Sequence, residues 1–286
     1  MLVENLRSKA EWITRNIRET EWLKEGFFNG YYDNKSRRVE GGKAGLTRMV
    51  LTSQVMPIMS GVASNEQVDI LLKNTKKYLY DNKFGGWRLN TDFRFEQHDL
   101  GRAFSFIYGE KENGAFFNHM VVMFAYALYK RNHSEDAWKV INSIFNMAVD
   151  TQKSKIYPCL PEYFNSEGRG MYSYLTGSAS WFILTAVTQT FGVRGLNGDL
   201  LIEPKLSAEQ FKHTTSIVVS RSFAGRKIEV IFSNPKKLKA GKYGIIEASL
   251  DAYPLPVDEY NFLVIPRRFI ASLPVNKTHQ IKISLG

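Results

Sequence analysis

The 286-residue chain is 44% hydrophobic and 23% charged, a globular composition long enough for one large domain or two ordinary ones and unlike that of a disordered chain. Its formal net charge of +10 points to an anionic partner, but the lysines and arginines are dispersed and the densest run, "NPKKLKAGK", has no interleaved aromatics, which argues against nucleic acid. A single cysteine, Cys159, excludes an internal disulfide and a CxxC metal site; no stretch approaches the roughly 20 apolar residues of a membrane span or the apolar core of a signal peptide, so the expected setting is the cytoplasm.

Apolar residues at helical spacing predict six helices in the first two thirds. They are "ENLRSKAEWITRNI", "LTRMVLTSQVMPIMSGV", "NEQVDILLKNTKKYLYD", "GAFFNHMVVMFAYALYKR", "SEDAWKVINSIFNMAV" and "TGSASWFILTAVTQTF". Asn65 and Ser134 are the expected N-caps of the third and fifth. Two long irregular segments, "FGGWRLNTDFRFEQHDLGRAFSFIYGEKENG" and "SKIYPCLPEYFNSEGRGMYSYL", lie between helices, and loops of that length usually carry function. From about residue 206 the chain turns to short β-branched runs broken by Gly, Pro, Asn and Asp. These predict a small antiparallel β-sandwich over 206–286, with "LNGDLLIEPKLS" as the hinge before it. Residues 1–205 look like half of an α/α toroid, without the internal repeat that would close one. A half-toroid exposes apolar seams and calls for a partner or further sequence.

The stretch "GRGMYSYLTGSASW" (168–181) sets glycines, hydroxyls and aromatics at the start of the sixth helix. The first amides of a helix lack intrahelical acceptors and suit an anion. Read in order, "GRAFSFIYGEKENGAFFNHM", "YPCLPEYFNSEGRGMYSYLTGSASW" and "LNGDLLIEPKL" resemble the inverting phosphorylases of glycoside hydrolase family 94. The fuller wording, "GGWRLNTDF", "LGRAFSFIYG" and "PEYFNSEGRGMY", is most similar to 1,2-β-oligoglucan phosphorylases, and "GRGMYSYLTGSASW" to the phosphorylase-like end of cyclic β-1,2-glucan synthases.

The resemblance implies the C-terminal half of an (α/α)6 barrel followed by a β-sandwich. It also implies phosphorolysis of β-1,2-glucooligosaccharides to α-glucose 1-phosphate, with inorganic phosphate as substrate and no cofactor or metal. Thr176, Gly177 and His119 match phosphate-binding positions of the family, and Lys111 matches a lysine on the sugar. Glu162 is the expected sugar-facing residue of its loop, and Glu112 and Arg102 are further sugar-side candidates. Arg169 is a candidate phosphate neutraliser, and Trp87, Phe106 and Tyr172 are candidate sugar platforms. The family's general acid, an aspartate in a W-N-D-G type motif, belongs upstream of the segments matched here. The expectation is therefore a C-terminal fragment or subunit, inactive without an N-terminal companion. Three alternatives stay open: a non-catalytic sugar- or phosphate-binding or barrel-completing subunit, a cellobiose- or chitobiose-type phosphorylase fragment, and a hydrolase using Asp92, Glu96, Asp99, Glu110 or Glu112.

Overall fold

The computed structural model describes residues 2–43, 45–95, 97–157, 159–174, 176–257 and 261–286. Helix and sheet are mixed, and the chain divides into two units, 1–131 with 139–182 and 132–138 with 183–286.

The first unit runs α1 (Leu2–Thr20), the paired β1 (Gly41–Lys43) and β2 (Leu46–Arg48), α2 (Leu51–Ser60), α3 (Asn65–Tyr78), and the paired β3 (Tyr80–Asp81) and β4 (Gly86–Trp87). It continues through β5 (Phe116–Phe117), α4 (Asn118–Lys130), the body of α5 (Ser134–Val149) from residue 139, the single turn α6 (Thr151–Ser154), β6 (Tyr163–Phe164), β7 (Gly170–Met171) and the start of α7 (Gly177–Thr185). Each of the six helical stretches read from the sequence holds a helix. The third is capped by Ser64 rather than Asn65: the Ser64 hydroxyl accepts from the Gln67 amide at 3.2 Å while the Gln67 side chain accepts from the Ser64 amide at 2.9 Å, a capping box. Ser134 is the first residue of α5.

Two arginines gather the helices by their ends. The Arg131 guanidinium donates to the carbonyl of Ala63 at 2.8 Å and to the Asn65 side chain at 2.6 Å, and Arg18 donates to the Val62 carbonyl at 2.7 Å. Both satisfy the turn between α2 and α3, where Gly61 takes φ +84° to end α2. Inside the unit, Leu51, Val55, Ile58, Val122, Phe124 and Leu128 are fully buried. By contrast α1 has no buried residue, and Leu2, Leu6, Trp12 and Ile13 stand exposed.

A buried carboxyl organises the turn before α2. Glu40, 2% exposed, accepts from the amides of Gly30 and Val50, each at 2.7 Å, and from the Gln54 side chain at 3.3 Å. Gln54 itself accepts from the Phe28 amide at 2.9 Å and donates to the Phe28 carbonyl at 3.0 Å. Burial pushes the Glu40 carboxyl up to about 7, against the hydrogen bonds that favour its charged form.

The second unit opens on a π-helical turn, Ala186–Thr190, then β8 (Val193–Leu196) and β9 (Asp199–Ile202). The expected hinge is therefore a hairpin, turning on Asn197 at φ +51° and Gly198 at φ +96°, the two left-handed positions that an Asn-Gly turn supplies. Next come β10 (Ser216–Phe223), β11 (Arg226–Ser233), β12 (Ile245–Leu250), β13 (Tyr253–Leu255), β14 (Leu263–Ile265), the one-turn α8 (Arg267–Ala271) and β15 (Thr278–Leu285). Helix α8, beyond the region where helices were expected, follows Pro266, and its first amide donates to the Asp199 carboxylate at 2.7 Å.

One sheet has the order β10-β11-β15-β12-β13 and the other β14-β9-β8. The larger is not purely antiparallel: β15 enters between two hairpins and runs parallel to β11. Alternate residues of β11 (Ile228, Val230, Phe232) and β15 (Ile281, Ile283, Leu285) are buried in one cluster with Leu200 and Ile202 of β9 and Leu263 and Ile265 of β14. His279 is buried as well, one ring nitrogen 2.9 Å from the Asp251 carboxylate and the other 2.8 Å from the Pro274 carbonyl.

Three stability outcomes follow. In the unfolded chain the Glu40 carboxyl titrates near 4.5 and in the folded chain near 7, so folding takes up a proton between these values. Its contribution to stability falls as pH rises from about 4.5 to about 7 and is level above; Glu40→Gln flattens this limb in a pH series of urea unfolding. Glu40→Ala strands the Gly30 and Val50 amides and costs at least about 2 kcal/mol in the same measurement. At Gly192, φ is +66° and a Cβ would lie 1.8 Å from the Glu203 carbonyl oxygen. Gly192→Ala therefore loses about 2 kcal/mol or more, read as a fall in Tm.

Candidate functional site

Three sequence-distant stretches meet on a small sheet of the first unit. Phe116 and Phe117 pair with Phe164 and Tyr163, which pair in turn with Gly170 and Met171. Strand β5 passes directly into α4, so the sheet fixes where that helix begins. Asn118, fully buried, donates its amide to the Glu162 carbonyl at 3.0 Å and its side-chain amide to the Pro161 carbonyl at 2.9 Å. Helix α7 starts on the same peptide: the buried Ser178 hydroxyl donates to the Glu162 carbonyl at 3.2 Å. Thr176 caps α7, its hydroxyl accepting from the Ser178 amide at 3.3 Å.

Joining the two helix starts brings His119 against Gly177. A Cβ at Gly177 would stand 2.8 Å from Cε1 and 2.9 Å from Nδ1 of the imidazole, so the glycine leaves the ring its place. The structure thus sets His119, Glu162, Thr176 and Gly177 together. Burial holds His119 below the ordinary histidine range, opposed by the Glu162 charge, so the imidazole is neutral at neutral pH. Its Nε2 is buried without a hydrogen-bond partner among the described residues, as is the neighbouring Asn118 Oδ1. Buried polar atoms are nearly always paired, so these two orphans at one helix start are candidates for a contact outside the described residues.

A second group lies around Phe106. The Lys111 ammonium stands 5.1 Å over the Phe106 ring and 5.2 Å over the Tyr172 ring, and the Arg102 guanidinium stands 5.1 Å over Phe106. Arg102 also donates to Glu112 at 3.1 Å, an ion pair whose arginine is 70% exposed. Lys111 is presented by a tight turn at φ +48°, closed by the Asn113 amide on the Glu110 carbonyl at 3.0 Å. Asn113 braces that turn from inside, donating to the Phe106 carbonyl at 2.6 Å and accepting from Asn90 at 3.0 Å.

Asn165 and Tyr163 were not singled out from the sequence, and Glu110 only as a carboxylate of the hydrolase alternative; the three anchor the turn from below. The Glu110 carboxylate accepts from the Tyr163 hydroxyl and from the Asn165 side chain, each at 3.1 Å. Burial, with the Glu110 charge beside it, pushes the Tyr163 phenol up and keeps it a donor. The two groups touch through Tyr172: its carbonyl accepts from the Glu162 amide at 3.1 Å, while its ring receives Lys111.

Other candidates fall outside. Trp87 is 9% exposed and packed edge-on to Tyr80 at 4.6 Å and Phe124 at 6.3 Å, so it is core and not a sugar platform. Arg169 is exposed, its amide donating to Asn165 at 3.0 Å. Of the loop carboxylates, Asp92 accepts from the Arg94 amide at 2.7 Å, Glu110 and Glu112 are engaged as above, Asp99 lies exposed in the short turn His98–Leu100, and Glu96 lies outside the described residues. No group of three or more His, Cys, Asp or Glu that could hold a metal occurs among the described residues, and no helix there is long and apolar enough to cross a membrane.

The chain is 27% identical over 242 residues to the cellobionic acid phosphorylase of Neurospora crassa, covering 80% of this chain and 30% of that protein. It is 24% identical over 244 residues to the 3-O-beta-D-glucopyranosyl-beta-D-glucuronide phosphorylase of Paenibacillus borealis, covering 82% and 30%. Over 204 residues it is 23% identical to the cyclic beta-(1,2)-glucan synthase NdvB of Rhizobium meliloti, covering 68% and 7%. The chain thus spans less than a third of the length of these relatives. Residues 2–192 match the family model of the catalytic domain, and the chain belongs to the glycosyl hydrolase 94 superfamily.

Proposed function

We propose that this chain forms the phosphate-binding wall, and part of the sugar-binding wall, of an inverting glycoside phosphorylase. The first unit would be the C-terminal part of an (α/α)6 barrel and the second the β-sandwich that follows it. The observation that carries the reading is the pair of helix starts on the Glu162 carbonyl, with a neutral imidazole seated on Gly177. Phosphate would receive hydrogen bonds from His119 Nε2, the Thr176 hydroxyl and the Gly177 amide, in the field of α7. Being already an anion, it needs no base; the protein's task is to hold it in line.

The reaction breaks the bond between the anomeric carbon and the glycosidic oxygen and forms a carbon–oxygen bond to phosphate on the opposite face. The leaving oxygen takes a proton from a carboxylic acid. The motif likeness favours an acid supplied from outside these residues, on a companion chain or a further segment. Lys111, Glu162, Glu112 and Arg102 face the sugar. The motif likeness favours β-1,2-glucooligosaccharide as substrate, α-glucose 1-phosphate as product and the cytoplasm as setting.

One observation favours a second reading of the acceptor end. Arg102 and Lys111 place two cations on one aromatic ring, countered by the single carboxylate of Glu112, and two relatives are named for substrates that include a sugar acid. An aldonate or uronate acceptor would pair with such cations.

In the enzyme completed with the rest of the family domain, Thr176→Ala and His119→Ala each remove a hydrogen bond to a charged ligand. That costs roughly 1.5–3 kcal/mol, about ten- to more than a hundredfold in the phosphate-dependent rate, with sugar dependence little changed. Lys111→Ala shows the opposite pattern. Initial rates over a grid of phosphate and oligosaccharide concentrations read both, and an unchanged phosphate dependence refutes the site. Running the reverse reaction from α-glucose 1-phosphate with glucose, sophorose, gluconate and glucuronate as acceptors decides between the two substrate readings. Arg102→Ala lowers use of the acid acceptors selectively if the second holds.

A further inference from the structure

His119 and Tyr126 stand seven residues apart on one face of α4, and Gly177 and Trp181 four apart on one face of α7. The two pairs interlock. The Trp181 indole lies 5.8 Å from the imidazole, tilted by 48°, and Tyr126 meets the same indole edge-on at 5.5 Å. One turn away on α7, the bare Cα of Gly177 bounds the imidazole at Cε1 and Nδ1. Trp181 is only half-buried and does not belong to the buried core of its unit, so filling the core is not what its ring does there.

We propose that Trp181 is a positioning residue: its indole, backed by Tyr126, holds the His119 imidazole against Gly177 and keeps water from it, so that Nε2 is presented to the anion in one orientation. The proposal rests on the reading of His119 as a phosphate contact. The physical argument is one of alternatives. An imidazole on an open helix end turns about its last torsion and is solvated on both nitrogens. Here one side is occupied by helix backbone and the next by the indole, and Nε2 is a buried ring nitrogen with no hydrogen-bond partner among the described residues. Glu162 is the charged group that faces the ring, and its influence runs against that of burial. Exposing the ring to water by removing the indole therefore moves the titration of His119 up.

The test uses the whole chain with ¹⁵N-labelled histidine. The imidazole signals of its five histidines are followed across pH, with and without inorganic phosphate, and His119→Asn assigns the signal in question. In the wild type His119 titrates below the ordinary range and holds one tautomer. In Trp181→Ala its midpoint rises, the tautomers mix and the apparent affinity for phosphate falls about two- to tenfold, the size of an aromatic contact. Trp181→Phe restores most of the wild-type behaviour. A folded Trp181→Ala chain with unchanged midpoint and tautomer overturns the proposal. Should Trp181→Ala not fold, Tyr126→Leu loosens the indole from behind, and an unmoved His119 there overturns it equally. If phosphate leaves His119 untouched in the wild type while Trp181→Ala still shifts the titration, the phosphate reading fails and the positioning role stands.

Discussion

The carbonyl oxygen of Glu162 accepts two hydrogen bonds, from the Asn118 amide at 3.0 Å and the Ser178 hydroxyl at 3.2 Å, and so ties the first turns of α4 and α7 to a single peptide. A carbonyl has two lone pairs, and both are spent here on groups buried away from water, where an unmade bond is expensive. The amide of the same residue is held by the Met171 and Tyr172 carbonyls, each at 3.1 Å. From this clamped peptide the remaining geometry follows. His119 comes one residue after Asn118 and Gly177 one before Ser178, so the imidazole has nowhere to lie except over the bare Cα. Tyr172, one residue beyond β7, carries the same clamp to Lys111.

The two sides of the site differ in electrical character. Around α7 the donors are a hydroxyl, backbone amides and an imidazole that burial keeps uncharged, so an anion would be recognised there by the direction of hydrogen bonds more than by net charge. Around Phe106 the charges are real and are softened by aromatic faces and by Glu112. A strongly cationic wall would attract any acidic ligand, whereas neutral, directional donors would favour a ligand that offers several oxygens at once, as the proposed phosphate does.

Much of the fold was legible from residue order. The apolar spacing of "FFNHMVVMFAYALYKR" and "SEDAWKVINSIF" marks α4 and α5, because a stripe of that period must be buried. Some misreadings had signals in plain view. Asn-Gly at 197–198 is a hairpin turn, yet its place between the two halves invited the reading of a hinge. Ser64 with Gln67 three residues on is a capping box, overlooked for Asn65 beside it. Other features had no sequence signal. That β15 runs parallel to β11 is set by which strand arrives between which hairpins, and local propensity carries no such information. In the candidate site, Lys111, His119, Thr176 and Gly177 were singled out through resemblance, and the structure brings the last three together. The places of Tyr163 and Trp181, and the anchoring place of Glu110, had no such signal, since a positioning role is a matter of distance and their chemistry has other common uses.

The central place of β15 also bears on how the second unit is made. Residues 278–285 close the gap between the β10–β11 and β12–β13 hairpins, although they follow both in the chain. Each hairpin forms from near neighbours, but neither has a complete set of strand partners until the later segment is threaded between them. Pairing of Lys227 with Thr278 bridges fifty-one residues, the kind of distant closure that slows the search for the native topology. Until that happens, the inner edges of β11 and β12 hold open hydrogen-bonding groups beside apolar faces. During synthesis this leaves an interval in which two sticky strand edges coexist, and a neighbouring copy's β15 would fit between them as well as its own. The strand order thus makes the insertion of β15 the step of this unit most exposed to misassembly.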